Sequence, residues 1–401
     1  MFDIPAPNFS VVNLGCKVNR VESDSIAARL LASGGMSVES EFADVIVVNS
    51  CTVTGEADKK TRKAVRAALR ANPHAEVVVT GCGVAIDAEA FRSISPRVET
   101  IERAELFAML AGDAKELRFG DEFRTRVNVK VQDGCDHACT YCIVHVARGR
   151  ATSSPFEEVV EEARAYFERG AKELVLTGID LGSYRDGGRT LSDLVKALLE
   201  EADKQCAAGE LPGRVRASSI EPRSVDDALV DLLADSDGRL CRHLHLPLQS
   251  GSTAVLRQMA RPYSAEFFCD LVDRLYERVP QLSLTTDVIC GFPGETDEDF
   301  EATMEVARHC RFSKIHVFPY SKRAGTPAAE RDDQVPDEVK AERASRLRVL
   351  SDELRAADLR RRAGTTELVI VEPGTALSES YHELPVPADS ASGQLVSVTF
   401  E

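Results

Sequence analysis

The sequence predicts an α/β protein with an N-terminal open α/β domain, a partial (β/α)6 barrel and a small C-terminal β module. Two series of short apolar runs alternating with helical patterns predict the first two parts, because parallel strands covered on both faces appear as nearly continuous apolar runs. Short strand-like segments near the C-terminus predict the third part. We place the domains at residues 1–118, 121–335 and 364–401, with a connecting helix over residues 336–363.

The N-terminal domain contains three apolar runs that we predict to be parallel strands, FSVVNLG, ADVIVVNS and AEVVVTG. Helical patterns over Ser23–Ala32 and Lys59–Ala71 separate these runs, and Asn72-Pro73 ends the second helix. This order is typical of an open sheet with helices packed on its faces.

Between residues 126 and 320 a strand–helix unit repeats six times. Its helical patterns include Phe156–Arg169 and Asp297–His309. Because eight such units close a parallel barrel, six predict an incomplete one. The predicted strands are VNVKVQ, ELVLTG, RVRASS, CRHLHLPLQ, LSLTTDVICG and SKIHVF.

The C-terminal part begins with a stretch rich in proline, alanine and charged residues at positions 321–340, which predicts a linker. A long helical pattern follows up to Ala363. The segments ELVIVE, YHELPV and QLVSVTF then predict the strands of the small β module.

Composition places the chain among soluble globular proteins, with 43% hydrophobic and 28% charged residues. The formal net charge of −16 argues against a non-specific nucleic-acid coat protein, which is normally basic, although a local basic face stays compatible with it. No apolar run is long enough for a transmembrane helix, and the N-terminus MFDIPAPNFSVV lacks the basic and apolar regions of a signal peptide. We therefore expect a cytoplasmic protein without a membrane partner.

Cysteine is the unusual residue, with 11 copies in a chain for which no secretion signal is predicted, so clustered cysteines point to metal binding rather than disulfides. Cys135, Cys139 and Cys142 form a C-x3-C-x2-C motif directly after the first predicted barrel strand. Three thiolates leave a site one ligand short, which favours an iron–sulfur cluster with an open iron. The alternatives are a zinc site completed by His137 or His145, or incidental core cysteines.

A second cysteine set is spread along the N-terminal domain. Cys16, Cys51 and Cys82 each come directly after one of the predicted strands. The carboxyl ends of parallel strands meet at the same edge of a sheet, so these three thiols are predicted to converge. A second cluster with an open iron is the favoured interpretation, and three independent core cysteines are the alternative.

The C-x3-C-x-aromatic-C pattern, with Tyr141 at the aromatic position, resembles the signature of the radical S-adenosylmethionine (SAM) superfamily. The resemblance implies a 4Fe–4S cluster whose open iron is chelated by the amino and carboxylate groups of SAM. It also implies that one-electron reduction splits SAM into methionine and a 5′-deoxyadenosyl radical. The usual scaffold of that superfamily is a partial barrel with this loop after its first strand.

The layout of the whole chain resembles the methylthiotransferase family, which combines a three-cysteine N-terminal domain, a radical SAM barrel and a C-terminal β module called TRAM. Lys17-Val18-Asn19 after Cys16 favours the branch that methylthiolates threonylcarbamoyladenosine in tRNA. The segments that resemble this branch are LGCKVNRVESD, NSCTVTGEADKKTRK, QDGCDHACTYC, ARGR, LTGIDLGSY and LPLQSGS.

The resemblance implies a transferase of sulfur-containing groups with two 4Fe–4S clusters and SAM. One SAM would methylate a sulfur held at Cys16, Cys51 and Cys82, and a second would be cleaved at the other cysteine set. The radical would remove hydrogen from C2 of the modified adenosine next to the anticodon, a position that acid–base chemistry does not readily activate. The implied partners are tRNA carrying threonylcarbamoyladenosine, an electron donor such as flavodoxin or ferredoxin, and a sulfur source.

Four alternatives stay open at this point. Two are methylthiotransferases that act on isopentenyladenosine or on a ribosomal protein. A third is another radical SAM enzyme with an auxiliary cluster, and a fourth is a zinc-stabilised RNA-binding protein without catalytic activity.

The resemblance also implies which residues contact SAM. Gly178 and Asp180 stand where the methionine amino group is usually met, and Ser219 and Glu221 stand near the ribose. A structural role is an equal alternative for each of them. The full set of predicted cofactor contacts is Tyr141, Gly178, Asp180, Ser219, Glu221, Gln249 and Asp287.

Two basic segments are candidates for phosphate contacts. Lys59, Lys63, Arg66 and Arg70 share one face of a predicted helix, and residues 340–362 carry eight Lys/Arg against four acids. A solvated charged face is the alternative for each. The module from Gly364 onward has six acids and no Lys or Arg, so we expect it to cap the barrel or to bind RNA through Tyr381 and backbone groups.

Overall fold

The computed structural model describes residues 7–52, 55–110, 125–208 and 210–401. These residues fall into two compact units. The predicted domain boundary between residues 118 and 121 lies outside the described ranges, and the domain limits remain predictions. The first unit contains the described part of 1–123 with 134–137 and 142–150, and the second contains the described part of 124–133 with 138–141 and 151–401.

The first unit is built on a parallel sheet. Its strands are β1 (Asn8–Asn13), β2 (Met36–Ser37), β3 (Val45–Ser50), β4 (Glu76–Gly81) and β5 (Val98–Thr100). Its helices are α1 (Lys17–Ala32), α2 (Gly55–Ala71), α3 (Cys82–Asp87), α4 (Glu89–Arg92), α5 (Arg103–Met109) and α6 (Val144–Arg148).

The strand order is β2-β1-β3-β4-β5, which confirms the three predicted strands as β1, β3 and β4. The sequence missed β2 and β5 because elements of two and three residues are too short to show a pattern. Every residue of β3 is buried, and its valines and isoleucine face two apolar clusters on opposite sides of the sheet. Helix α1 begins at Lys17, well before the predicted Ser23. The sequence pattern missed its first turns because the buried residues Asn19 and Glu22 conceal the apolar periodicity.

The second unit contains a series of parallel strands surrounded by helices. Its strands up to residue 319 are β6 (Arg126–Lys130), β7 (Gln132–Asp133), β8 (Thr152–Ser153), β9 (Glu173–Thr177), β10 (Arg185–Asp186), β11 (Arg189–Thr190), β12 (Arg214–Ala217), β13 (His243–His245), β14 (Ser283–Cys290) and β15 (Lys314–Pro319). Its helices are α7 (Phe156–Glu168), α8 (Leu191–Lys204), α9 (Asp227–Asp235), α10 (Thr253–Gln258), α11 (Ala265–Arg278), α12 (Asp297–Cys310) and α13 (Asp337–Arg362).

Six of these strands form the predicted partial barrel. Parallel pairing gives the orders β12-β9-β6 and β13-β14-β15, and parallel bridges from Val215 to Leu240 and from Ser219 to His245 join the two groups. The order along the barrel is therefore β6-β9-β12-β13-β14-β15, which confirms all six predicted strands. Within the described ranges, no helix combines the length and the apolarity that crossing a membrane requires.

The C-terminal module is a four-stranded antiparallel sheet that caps one end of the barrel. Arg214 and Arg216 on β12 are fully buried, and they donate hydrogen bonds to the carbonyls of Leu368 (2.6 Å) and Glu379 (2.8 Å) in the module. Tyr381 stacks on the ring of His243, with centroids 4.9 Å apart. Its strands are β16 (Thr366–Glu372), β17 (Thr375–Ser378), β18 (Glu383–Leu384) and β19 (Leu395–Thr399), in the order β18-β17-β16-β19.

Candidate functional site

Three neighbouring strands of the first unit end just before a cysteine. Cys51 and Cys82 directly follow β3 and β4, and Cys16 lies three residues beyond the end of β1. Because β1, β3 and β4 are adjacent and parallel, the three cysteines lie at the same edge of the sheet, as the sequence predicted. Cys51 and Cys82 are buried, whereas Cys16 is exposed, so the group reaches the surface on one side.

Glycines allow the loops that carry these cysteines to approach closely. Gly15 has a φ of 117°, and a Cβ atom there would lie 2.8 Å from the Cβ and 3.1 Å from the Sγ of Cys51. Gly81, directly before Cys82, has a φ of 90°, and a Cβ atom there would lie 2.4 Å from the Asn49 side chain. Any larger residue at either position would push the strand-end loops apart.

Arg148, at the end of α6, contacts this cysteine set inside the first unit. Its Nε donates a hydrogen bond to the Cys82 sulfur at 3.1 Å, and its Nη2 donates to Asn19 Oδ1 at 2.7 Å. Its Nη1 lies 3.0 Å from Glu22, which forms a buried ion pair with it. Burial raises the pKa of the Cys82 thiol, and the Arg148 guanidinium opposes that effect.

The second cysteine set lies in the loop between β7 and α6. Gly134 begins this loop with a φ of 70°. Glycine is required at this position, because a Cβ atom there would lie 2.0 Å from the Arg150 carbonyl oxygen. The backbone N–H groups of His137 and Val144 point to the sulfurs of Cys135 and Cys142, each at 3.4 Å. Backbone donors of this kind stabilise thiolates that bind iron.

Cys139 is buried in the second unit, beside a charged pair. Arg261 Nη1 donates a hydrogen bond to its sulfur at 3.3 Å, and Arg261 forms a nearly dehydrated ion pair with Glu221. Tyr141 packs on an apolar cluster that includes Phe292. Glu221 and Tyr141, which were both predicted to contact the cofactor, therefore lie in the surroundings of Cys139 and Arg261.

Gln132 fixes the turn that follows β9. Its Oε1 accepts hydrogen bonds from the N–H groups of Ile179 and Asp180, each at 2.8 Å. A Cβ atom on Gly178 would lie 2.8 Å from the same oxygen, so a larger residue there would displace the Gln132 amide. The predicted contacts Gly178 and Asp180 are thus held against Gln132.

The other predicted contacts meet around His245. Asp287 lies 3.3 Å from the Nε2 of His245, and Ser219 forms a parallel bridge with the same residue. The N–H of Gln249 donates to the Asp287 carbonyl oxygen at 2.8 Å. His316 on β15 completes a group of three possible metal-ligating side chains with His245 and Asp287, whose ligand atoms lie within 4.8 Å of one another.

The sequence analysis missed Gln132, Arg148, His245, Arg261 and His316. Two of them stood inside segments that were already singled out, since Gln132 begins QDGCDHACTYC and Arg148 belongs to ARGR. The available signal was a charged or amide side chain within six residues of the C-x3-C-x2-C motif. Arg261 carried no such signal, because it is far from Cys139 in the chain.

The two basic segments differ in their surroundings. Lys59, Lys63, Arg66 and Arg70 are all exposed along α2. On α13, by contrast, several of the basic side chains form ion pairs within the second unit, including Arg343 with Glu295 (2.7 Å), Arg362 with Glu367 (2.7 Å) and Lys340 with Asp337 (3.1 Å). Phosphate contacts are therefore more compatible with α2, because these α13 side chains are already engaged in ion pairs.

Known proteins match this chain over both units. The family model of the radical SAM superfamily matches residues 129–307, and that of uncharacterized protein family UPF0004 matches residues 8–101. The chain is 40% identical to the threonylcarbamoyladenosine tRNA methylthiotransferase MtaB of Bacillus subtilis (strain 168), over 85% of this chain and 79% of the relative. The chain belongs to the radical SAM methylthiotransferase family.

Other methylthiotransferases show similar coverage. MtaB of Chlamydia pneumoniae is 36% identical over 98% of this chain and 95% of its own length. The tRNA-2-methylthio-N(6)-dimethylallyladenosine synthase of Paenarthrobacter aurescens (strain TC1) is 32% identical over 90% of this chain and 74% of its own length.

Solved structures support the fold of this methylthiotransferase. The radical S-adenosylmethionine methyltransferase TsrM of Kitasatospora setae, whose structure contains cobalamin and a [4Fe-4S] cluster, superposes with a TM-score of 0.57. It is 15% identical and covers 81% of this chain and 77% of its own. At that identity the likeness concerns the fold alone.

The residues present in this methylthiotransferase fit iron–sulfur clusters. All eleven cysteines lie in the described ranges, and no disulfide joins any of them. Each set supplies three thiols, the soft ligands that iron–sulfur clusters use. Nitrogen donors point to the sulfurs of Cys82, Cys135, Cys139 and Cys142, as expected for groups that carry negative charge.

Proposed function

We propose that this protein is the tRNA methylthiotransferase that places a methylthio group on C2 of threonylcarbamoyladenosine next to the anticodon. The observation that carries the proposal is the similarity to MtaB proteins over most of the chain, at up to 40% identity. The placement of three cysteines at the ends of three neighbouring strands, in addition to the C-x3-C-x2-C loop, supports the same activity.

The cofactors in this proposal are two 4Fe–4S clusters and SAM. When bound, they supply the radical chemistry that replaces the hydrogen on adenine C2 with a methylthio group. Cys16, Cys51 and Cys82 hold one cluster, and the set of Cys135, Cys139 and Cys142 holds the other.

The barrel residues of this chain bind and orient SAM. Gln132 presents the turn with Gly178 and Asp180, and Arg261 holds Glu221 beside Cys139. Keeping the reacting groups aligned and water excluded is the contribution of the protein to such a reaction. The full set of proposed SAM-binding residues is Tyr141, Gly178, Asp180, Ser219, Glu221, Gln249 and Asp287.

The partners follow from the chemistry. Cluster reduction requires a one-electron donor such as flavodoxin or ferredoxin, and product formation consumes sulfur, which a sulfur donor must replace. Since tRNA is the substrate, we place the protein in the cytoplasm. A second candidate substrate is N(6)-dimethylallyladenosine in tRNA, because synthases of its methylthio derivative are 31–32% identical to this chain.

Nucleoside mass spectrometry on tRNA from cells with and without the gene tests this function. We expect 2-methylthio-threonylcarbamoyladenosine to disappear with the gene and to return when the intact gene is supplied. A gene encoding Cys51→Ala is the matched control and should not restore the nucleoside. If that nucleoside is unaffected while the methylthio-dimethylallyl nucleoside is lost, the second candidate replaces the first.

A further inference from the structure

We infer that Arg148 is a positioning residue for the N-terminal cysteine set, and that it links this set to the loop of the radical SAM motif. The inference rests on the proposed function, namely that Cys16, Cys51 and Cys82 hold a cluster. In the sequence, Arg148 lies six residues after Cys142, the last cysteine of the radical SAM motif. Its side chain nevertheless contacts Cys82 of the N-terminal cysteine set.

Each of the three nitrogens of the Arg148 guanidinium donates a hydrogen bond. Its side chain is 1% exposed and that of Glu22 is 4% exposed, so water does not screen their ion pair. The planar fork places Nη1 at 3.0 Å from Glu22 Oε1 and Nη2 at 3.2 Å from Oε2. This bidentate contact leaves Nε facing the Cys82 sulfur at 3.1 Å.

Asn19 extends this anchoring to the other two cysteines. Its Oδ1 accepts from Arg148 at 2.7 Å, and its Nδ2 donates to the carbonyls of Leu14 (3.0 Å) and Ser50 (2.9 Å). Leu14 precedes Cys16 by two residues and Ser50 directly precedes Cys51. Arg148 therefore contacts Cys82 directly and, through Asn19, the backbone that leads into the other two cysteines.

The backbone beside Arg148 leads to the second set. The carbonyl oxygen of Gly149 accepts a hydrogen bond from the N–H of Cys135 at 3.1 Å. A rigid, buried side chain at one end and a backbone hydrogen bond at the other thus connect Cys82 with Cys135 inside the first unit. This connection holds Cys82 and Cys135, one cysteine from each set, in a fixed relation within the first unit.

A cation that donates to a ligand sulfur also favours the reduced, more negative state of a cluster. Arg148 should therefore raise the reduction potential of the cluster at Cys82. This electrostatic effect distinguishes Arg148 from a residue that only packs against the cysteines. The reduction potential should depend on the charge of the side chain, whereas a packing contact does not depend on charge.

The test uses the full chain with Cys135, Cys139 and Cys142 changed to alanine, so that only the first cluster is loaded under anaerobic conditions. A redox titration followed by electron paramagnetic resonance then compares Arg148→Gln and Arg148→Lys with this parent. We expect Arg148→Gln to lower the reduction equilibrium constant at least tenfold, which is about 59 mV for one electron. Arg148→Lys, which keeps the charge but loses the fork, should shift it less and in the same direction.

Arg150→Gln is the matched control, because it removes the same charge from the same motif at a side chain that is 89% exposed. The reduction equilibrium constant of this variant should stay within about twofold of the value for the parent. If Arg148→Gln does not fold because Glu22 loses its buried bidentate partner, Arg148→Lys carries the test alone. A loaded parent whose potential and spectrum are the same in both Arg148 variants overturns the role of Arg148 only, whereas a parent that binds no cluster overturns the assignment of the cysteines as well.

Discussion

Arg261 donates a hydrogen bond to the sulfur of Cys139 from 3.3 Å away. The same guanidinium is paired with Glu221, and both side chains are nearly inaccessible to water, at 6% and 7% exposed. Cys139 therefore meets a fixed positive charge within the second unit, as Cys82 meets Arg148 within the first. Each cysteine set thus has a buried arginine at one of its sulfurs.

Replacing Arg261 should weaken the chemistry at the second cysteine set. Loss of a hydrogen bond to a metal-bound ligand typically costs about 10–100-fold in affinity or activity, so we expect Arg261→Gln to slow SAM cleavage by that order. The measurement is formation of 5′-deoxyadenosine under reducing, anaerobic conditions. Arg257→Gln, which removes an exposed charge from α10, is the control and should retain full cleavage. Equal rates in the two variants would contradict a role for Arg261.

The two cysteine sets should separate two activities. Cys135→Ala should abolish SAM cleavage, because it removes a proposed ligand of the cluster that binds SAM. Cys51→Ala should retain some cleavage but form no methylthio product, since it disrupts the set proposed to hold the sulfur. Assays of 5′-deoxyadenosine and of methylthiolated nucleoside on the same samples test this, with Cys206→Ala as the control outside both sets. Full methylthiolation by either set variant would contradict the assignment.

Reversing charge on α2 should weaken tRNA binding. Lys63→Glu with Arg66→Glu removes two exposed cations, and each lost phosphate contact lowers the slope of log affinity against log salt by about 1. Filter binding or fluorescence anisotropy over a series of salt concentrations measures that slope. The control is Arg169→Glu with Lys196→Glu, which changes two exposed residues of the second unit. An unchanged slope in the α2 variant would leave a solvated helix face as the explanation.

The C-terminal module should make stability dependent on pH through Glu379. Burial raises the pKa of this carboxyl to about 7 from a usual 4.5, despite the opposing contact with Arg242. The folded protein therefore holds the proton more tightly than the unfolded chain. The contribution of Glu379 to stability is complete below about pH 4.5 and is lost as the pH rises through 7.

We expect this loss to amount to about 3.5 kcal/mol at most, from about 1.4 kcal/mol per pKa unit. Glu379→Gln should remove it, so the difference in unfolding midpoint between variant and parent should grow from pH 5 to pH 8. Denaturant unfolding of the loaded protein at several pH values provides the measurement. Glu383→Gln, at an exposed position of the same module, is the control. Parallel pH curves for Glu379→Gln and the parent would contradict the prediction.

Strands were predictable where apolar runs were long. Val45–Ser50 is buried throughout and was recognised from its valines and isoleucine, whereas Thr375–Ser378 was missed because TALS shows neither alternation nor a run. Helix α1 was predicted too short, since polar side chains such as Asn19 occupy its buried face. Asn19 donates a hydrogen bond to the carbonyl of Ser50 on β3, a role that local periodicity does not reveal.

The C-terminal module illustrates a second limit. Its acidic sequence predicted weak attraction to phosphate and left open whether Tyr381 binds RNA or the module caps the barrel. In the structure Tyr381 stacks on His243 and lies beside Arg216, with the guanidinium carbon 4.8 Å from the ring centroid. Arg242 and Arg362, which pair with Glu379 and Glu367, balance the acids of this module from outside it.

The sequence by itself determined the six cysteines, their division into two sets and the order of strands, because motif spacing and apolar runs are local properties. The tertiary structure decided which charges meet those cysteines. Arg148 reaches Cys82 across 66 residues, and Arg261 reaches Cys139 across 122. Such pairs form because a buried guanidinium is costly unless a negatively charged group lies beside it. The fold decides which group that is, and no local sequence pattern predicts it.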